Sequence, residues 1–461
     1  MKKIGIAVIG GGISGLSAGF FIKQKFGPRA ALTIYERDSR LGGTIATTRE
    51  EGYLADWGPN GFLDREPLTL EFIKQIGLQE KLLPSNEKSE KRFIYRKGKL
   101  WEISANPIKF LSSGLLSLRG KLRIAGEYFV RVRTSGEDES IFNFVARRIG
   151  REAAETLIDP MVSGIYGGDP EMLSLGACFP VMEKMEKEYG GLIKAMIKKK
   201  RESKGKAAGP AGPSGHLTSF RGGLLTLVER LEALLREDIR QGDEVRSIVH
   251  TSNGQWRVVS AGGNADYDRI IIATPSNNAA KILEEQTPAT AGLLNQIPYS
   301  NLAVVCHGYK IADIGRPIDG FGFLVPHNQK LDILGSIWTS VIFPEQAPDG
   351  YALFRTMLGG AKNNEIVTLG ESRLAELAHQ NLAKILDIRN KPTFQKVIIW
   401  MDAIPQYVLG HRERLHKIEN NLIQLEHIYL AGNAYTGIGL NDAIKRSHGI
   451  VDIIAAGLSG Q

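Results

Sequence analysis

The run Gly10-Gly11-Gly12-Ile13-Ser14-Gly15 has the spacing GxGxxG. Glycines so placed handle phosphate. Gly10 permits a tight turn, Gly12 lets the backbone approach a pyrophosphate, and Gly15 lets a helix pack closely on a strand. The apolar run over residues 31–35 ends in Glu36, about 20 residues beyond the last glycine. A carboxylate there accepts hydrogen bonds from a ribose diol. This chemistry is the binding of a dinucleotide rather than bond-making by side chains. Elements to position these groups are readable on either side. Ile4, Ile6, Val8 and Ile9 predict a short buried strand, and Leu16, Phe20 and Phe21 an apolar helix. That helix would offer N–H groups and a positive dipole to phosphate at its start. A glycine-rich turn without a ligand is the alternative, and the agreement of strand, turn, helix, second strand and terminal acid disfavours it.

The string Glu36-Arg37-Asp38-Ser39-Arg40-Leu41-Gly42-Gly43 follows the second strand. It resembles the ExxxRxGG extension of FAD-binding flavoprotein oxidases. The resemblance implies FAD, with Arg40 at the pyrophosphate and Gly42 and Gly43 close to the flavin. Arg37 is grouped with the cofactor contacts, although a polar loop would equally explain it and Asp38. No cysteine lies near the C-terminal glycine motif, so the FAD is expected to be non-covalent.

The 461 residues predict two or three domains. The only cysteines are Cys178 and Cys306, which excludes a disulfide framework or zinc spacing and favours a reducing compartment. No metal site is expected. The chain starts with the βαβ unit itself, which is not a cleavable signal. No apolar run reaches the roughly 18 residues of a spanning helix. A formal charge of +8 suggests an anionic partner, either a membrane surface or an acidic substrate. No nucleic-acid partner is expected, since no reading module is present.

Fragments of the same signature recur far along the chain. Residues 268–275 read as a strand closed by a turn, and 242–248 and 256–259 as strands of a meander. Residues 427–431 read as a strand leading into Gly432 to Gly439 and then a helix. The expected fold is therefore α/β, with a discontinuous Rossmann-like FAD-binding domain over 1–84, 216–292 and 397–461. Residues 85–215 read as a mostly helical insertion. Its stretches 108–116 and 118–124 alternate apolar groups with cations, as in an interfacial membrane helix. A bundle helix with solvated cations explains them equally well. Residues 194–206 are basic, and 207–215 read as a flexible linker. Residues 293–396 read as an α+β substrate domain with a sheet as one wall of a chamber.

Several strings resemble those of the oxygen-dependent protoporphyrinogen oxidases of tetrapyrrole (heme) biosynthesis, nearly end to end. They include Trp57-Gly58-Pro59-Asn60-Gly61-Phe62-Leu63-Asp64, Ser163-Gly164-Ile165-Tyr166-Gly167-Gly168-Asp169-Pro170, Gly320-Phe321-Gly322-Phe323-Leu324-Val325-Pro326, Met357-Leu358-Gly359-Gly360 and Ile404-Pro405-Gln406-Tyr407, with the run from Gly432 to Asp442 closing the set. Gly61 departs from a common serine, which should matter little if a small residue is all that is needed. The resemblance implies an FAD domain, a substrate domain and a helical membrane-binding domain. It implies that Trp57, Gly58, Pro59 and Asn60 line the flavin, with Trp400 near the ring and Val245 near the adenine end. Gly432, Ile438, Gly439 and Leu440 would approach the flavin edge. Arg92 matches the family's propionate-binding arginine, and Gly164, Gly322, Leu324 and Met357 match positions lining the macrocycle cavity, with Ile337 beside them.

Such a site needs apolar walls and few polar groups. The flavin performs the hydride removal, so no catalytic residue beyond the flavin is expected, and His307, His327 and His411 read as structural. The implied reaction is a six-electron oxidation of protoporphyrinogen IX, with oxygen as acceptor and hydrogen peroxide as by-product. Coproporphyrinogen III oxidase is the nearest alternative. Arg92 favours the dicarboxylate, because coproporphyrinogen-type sequences resembling this one generally lack it. Amine oxidases and carotenoid desaturases are more distant. A non-catalytic membrane-bound tetrapyrrole carrier is the alternative outside enzymes. The expected place is the cytoplasmic side of a membrane, held peripherally. The sequence sets no oligomeric state, and a homodimer is compatible with it.

Overall fold

The computed structural model describes residues 3–104, 106–202 and 215–459. The end of the basic run, 203–206, and the expected linker, apart from residue 215, lie outside them. Strand Ile4–Ile9 is central in a five-stranded parallel sheet. Its order is Ile239–Gln241, Ala30–Glu36, Ile4–Ile9, Arg269–Ile272, Ile428–Leu430. The strands are short and β-branched because both sheet faces are covered. Ile6, Val8, Ile34 and Ile271 pack under helices Ile13–Phe26, Leu225–Leu235 and Leu440–Ser459. Ile9, Tyr35, Ile270 and Ile272 point the other way, into a core shared with the antiparallel meander Val245–His250, Trp256–Ser260, Gly263–Tyr267. Three separated parts of the chain thus build one dinucleotide-type layer.

A second, seven-stranded sheet runs Phe394–Pro405, Tyr299–Lys310, Tyr351–Gly359, Ile333–Ile337, Gly322–Leu324, Arg92–Arg96, Lys99–Glu102. One face packs on helix Glu371–Leu386. Its course corrects two expected boundaries. Arg92–Arg96 and Lys99–Glu102 do not belong to a helical insertion beginning at 85. They extend this sheet, with Arg92 pairing in parallel with Gly322, because the short strand Gly322–Leu324 leaves an edge that needs backbone partners. Phe394–Pro405 is one continuous strand against Tyr299–Lys310, so no division falls at 396/397.

Helices between residues 107 and 202 form a separate layer around Ile141, Phe144, Val162, Tyr166 and Leu173. Arg148, fully buried, ties it together. Its guanidinium donates to Glu127 and, at 3.0 Å, to Glu186. Glu127 in turn accepts the first N–H groups of helix Leu192–Glu202, from Leu192 at 2.8 Å and Ile193 at 3.0 Å.

Candidate cofactor and substrate site

The glycine loop sits where the central strand ends. Gly10 has φ +111° and donates its N–H to the Tyr35 carbonyl at 2.8 Å. A Cβ at Gly15 would collide with the Gly10 carbonyl oxygen, so strand and helix close only on a glycine. A Cβ at Gly12 would meet nothing nearer than Gly43 Cα at 4.0 Å. The space before Gly12 is open, and no side chain caps the helix that begins at Ile13 and Ser14. These are the features of an anion cradle. The Glu36 carboxylate accepts the Gly11 N–H at 2.7 Å and the Asp38 N–H at 2.9 Å, one on each oxygen. Val245 lies close by, since the Asp243 N–H donates to the Glu36 carbonyl at 2.9 Å.

Two arginines follow the second strand. Arg40 donates to the Leu41, Gly43 and Ile45 carbonyls at 3.1, 2.7 and 3.3 Å and lies over the Trp57 ring. Three carbonyls converge there because Gly42 and Gly43, at φ +98° and +59°, turn the chain back on itself. Arg37 is exposed and pairs with its neighbour Asp38.

The turn from Trp57 to Asn60 is fixed from several sides. Trp57 Nε1 donates to Thr48 Oγ1 at 2.8 Å, and the Trp57 carbonyl accepts Trp400 Nε1 at 3.1 Å. A Cβ at Gly58 would collide with the Thr44 carbonyl oxygen. Gly61 is less tolerant than expected. A Cβ there would lie 2.8 Å from the Thr218 carbonyl oxygen, since Phe62–Leu63 pairs with Leu217–Phe220. Opposite this turn, Gly432 and Gly437 take φ +126° and +117°. The Tyr407 hydroxyl accepts the Gly437 N–H at 2.9 Å and donates to the Asn433 carbonyl. Ile438 and Gly439 then lead into helix Leu440–Ser459, where Asp442 accepts the Gly439 N–H at 3.1 Å. Asn60 Nδ2 and Asn441 Oδ1 are buried without a partner among the described residues. An open phosphate cradle with an unclaimed donor and acceptor beyond it fits a flavin dinucleotide, whose ring edge carries groups of both kinds.

The second sheet supplies the other wall. Cross-strand partners share a face, and the register runs Arg92, Gly322, Ile337, Arg355 in one row and Ile94, Leu324, Gly335, Met357 in the next. Arg92, Gly322, Leu324, Ile337 and Met357 therefore share the face opposite helix Glu371–Leu386. Leu324, Ile337 and Met357 are only half-buried, although their strand neighbours Phe323, Ser336 and Leu358 are buried. Gly164, on helix Asp159–Tyr166, closes over them. A Cβ there would sit 2.7 Å from Leu324 Cδ2. Gly322 has φ +139°, and a Cβ would collide with the Ser336 carbonyl oxygen. Arg92 is exposed, lies over the Phe321 ring and makes no ion pair among the described residues, whereas Lys91 pairs with Asp319.

The histidines stand apart from this face. His307 alternates to the opposite side, toward His379, and burial pushes its pKa down to about 4. His411 stacks on Tyr407, its ring pushed down to about 4 by burial. His327 gives its backbone N–H to Asp159 at 2.9 Å.

Sequence reasoning missed Arg355 and Asp56. Arg355 donates to the carbonyls of Trp57 and Gly58, which joins the two walls. Asp56 lies beneath the same turn, buried, and holds Thr47, Leu224 and Gln346. Burial raises the Asp56 pKa, against those hydrogen bonds and the Arg355 charge. The signal for Arg355 was a charge inside the apolar run 351–358.

A dinucleotide cradle at the carboxyl end of the central strand of a parallel sheet, facing a half-open apolar sheet wall, defines a flavin-dependent oxidoreductase. The chain belongs to the flavin containing amine oxidoreductase family, whose model matches residues 13–448. It is 31% identical to the coproporphyrinogen III oxidase of Bacillus subtilis (strain 168), over 97% of both chains. It is 29% identical to the mitochondrial protoporphyrinogen oxidase of Nicotiana tabacum, covering 97% of this chain and 94% of that one. A crystal structure named "Putative protoporphyrinogen oxidase" from Exiguobacterium sp. 255-15 superposes with a TM-score of 0.86 at 26% identity, over 99% of this chain and 100% of that one.

Proposed function

We propose that this enzyme binds FAD non-covalently and oxidises protoporphyrinogen IX to protoporphyrin IX, with oxygen as acceptor and hydrogen peroxide as by-product. The observation that carries the substrate is Arg92, a guanidinium with no ion pair among the described residues, at the rim of an apolar wall. A guanidinium can hold a carboxylate bidentately, and the half-buried Leu324, Ile337 and Met357 offer an apolar surface to a macrocycle. When bound, FAD supplies the hydride acceptor, and a six-electron oxidation needs three such turnovers. The chain's own groups bind and orient. Gly10, Gly12 and Gly15 shape the phosphate cradle, Glu36 offers acceptors to the ribose, and the Trp57–Trp400 contact holds the two walls together. Coproporphyrinogen III is the second reading, favoured by the name of the Bacillus subtilis relative. Oxygen uptake with porphyrinogen as the only reductant separates an oxidase from a carrier. Uptake with stoichiometric peroxide supports the proposal, and porphyrinogen bound without uptake contradicts it.

The same reading places the enzyme peripherally on the cytoplasmic side of an anionic membrane. Leu118, Leu122 and Phe129 are 73%, 66% and 83% exposed, beside the exposed Arg119. Among the described residues no helix is long and apolar enough to cross a membrane. Two nearby cations, however, are turned inward. Lys121 donates to the Ser113 carbonyl, and Arg123 to the carbonyls of Arg147 and Arg148 at the end of helix Ile141–Ile149. The apolar contribution should therefore exceed the ionic one.

A further inference from the structure

Arg355 is a charge buried inside an apolar strand, 6% exposed between Phe354 and Leu358, each 0% exposed. Burying a guanidinium is costly unless it is paired and fully hydrogen-bonded. Neither condition holds here. Arg355 makes no ion pair among the described residues, and its Nε is buried without a partner. Asp56, the nearby acid, has its oxygens taken by neutral donors. Thr47 Oγ1 and the Leu224 N–H reach Oδ1 at 2.6 and 3.1 Å, and Gln346 Nε2 reaches Oδ2 at 3.2 Å. The guanidinium instead spends Nη2 on the carbonyls of Gly58 and, at 3.4 Å, Trp57. Trp400 Nε1 converges on the same Trp57 carbonyl. Arg355 also lies in the row that contains Ile337, Gly322 and Arg92, so its charge is on the chamber side of the sheet. Burial pulls its pKa down, and Cys306 and Asp56 hold it up. An arginine stays protonated regardless.

We propose that Arg355 is a positioning residue of the redox centre: it fixes the Trp57-Gly58 turn and supplies a permanent positive charge that makes the bound flavin easier to reduce. This rests on the reading above that Trp57, Gly58, Pro59 and Asn60 line the flavin. In a dry, low-dielectric site a cation that makes no ion pair favours added electrons on a neighbouring group far more than it would in water.

The test uses FAD-loaded, full-length protein and reads flavin midpoint potential, FAD content and melting temperature together. Wild type that purifies without flavin would defeat the functional reading itself, separately from this proposal. With flavin bound, Arg355→Met should shift the potential negative. Arg355→Lys should restore most of that shift, because the charge survives. Its melting temperature should stay below wild type, because the planar guanidinium that fills this buried space is lost. A purely structural arginine would lower the melting temperature in the Met and Lys variants and leave the potential in place, which overturns the proposal. If Arg355→Met does not fold, Arg355→Gln, which keeps a donor for the carbonyls without the charge, decides: an unchanged or more positive potential overturns it equally.

Discussion

Arg92 and Arg355 stand in one row of one sheet, yet they are asked to do different work. Arg92 is exposed and unpaired, and its removal should cost binding. Arg92→Ala is expected to raise KM for protoporphyrinogen and lower kcat/KM by about ten- to hundredfold, the worth of a charge-assisted hydrogen bond of roughly 1.5–3 kcal/mol. The flavin spectrum should not change, and unaltered steady-state kinetics would remove Arg92 from the site. The glycines separate in the same way. Gly12 has open space before it, so Gly12→Leu should fold and melt like flavin-free wild type yet purify without flavin. Gly15→Ala should instead melt below flavin-free wild type, because its methyl meets the Gly10 carbonyl. Flavin content and thermal denaturation, measured on both variants, check this contrast. The glycine loop was readable from sequence because its geometry is local. The partners of Arg40 were not, since they are carbonyls aimed by two glycines that follow it. Gly61 was misjudged for a similar reason. Its neighbour Thr218 arrives from a distant strand.

The helical layer shows how far periodicity alone can lead. The alternation of apolar and cationic groups over 118–124 pointed to a membrane face, and helix Leu118–Ala125 exposes Leu118 and Leu122 one turn apart. The inward course of Lys121 and Arg123 could not be read, because their acceptors lie on other helices or turns. The double variant Leu118→Ser/Leu122→Ser should therefore lose most of its sedimentation with anionic vesicles, while added salt should weaken wild-type binding only in part. Equal sedimentation of variant and wild type would make this stretch an ordinary bundle face. The strand Arg92–Arg96 escaped notice for the opposite reason. It is short, and what makes it a strand is a parallel partner at Gly322–Leu324, far along the chain.

Across the whole molecule, the discontinuous cofactor layer was readable because the first and last segments end in glycine turns, at Gly10 and at Gly432, and the middle one in the turn through Pro275. The boundaries were not, because strand pairing ignores chain order, as Phe394–Pro405 shows. The fold also sets a pH response. Burial pushes His307 and His411 down to about 4 from an ordinary 6.5. Between those values the unfolded chain takes up protons that the folded one refuses. Stability is thus complete above about pH 6.5 and falls as pH drops toward 4, by roughly 3 kcal/mol for each histidine. His307→Leu should flatten the melting temperature profile over that window, and an unchanged slope would contradict the assignment. The central claim concerns the substrate, and one measurement addresses it directly: product analysis after the purified, FAD-loaded protein meets protoporphyrinogen IX and coproporphyrinogen III separately under air. The site predicts faster conversion of protoporphyrinogen, to protoporphyrin IX, with three peroxides formed per ring oxidised. Faster formation of coproporphyrin III, or no porphyrin above the autoxidation rate from either, would contradict it.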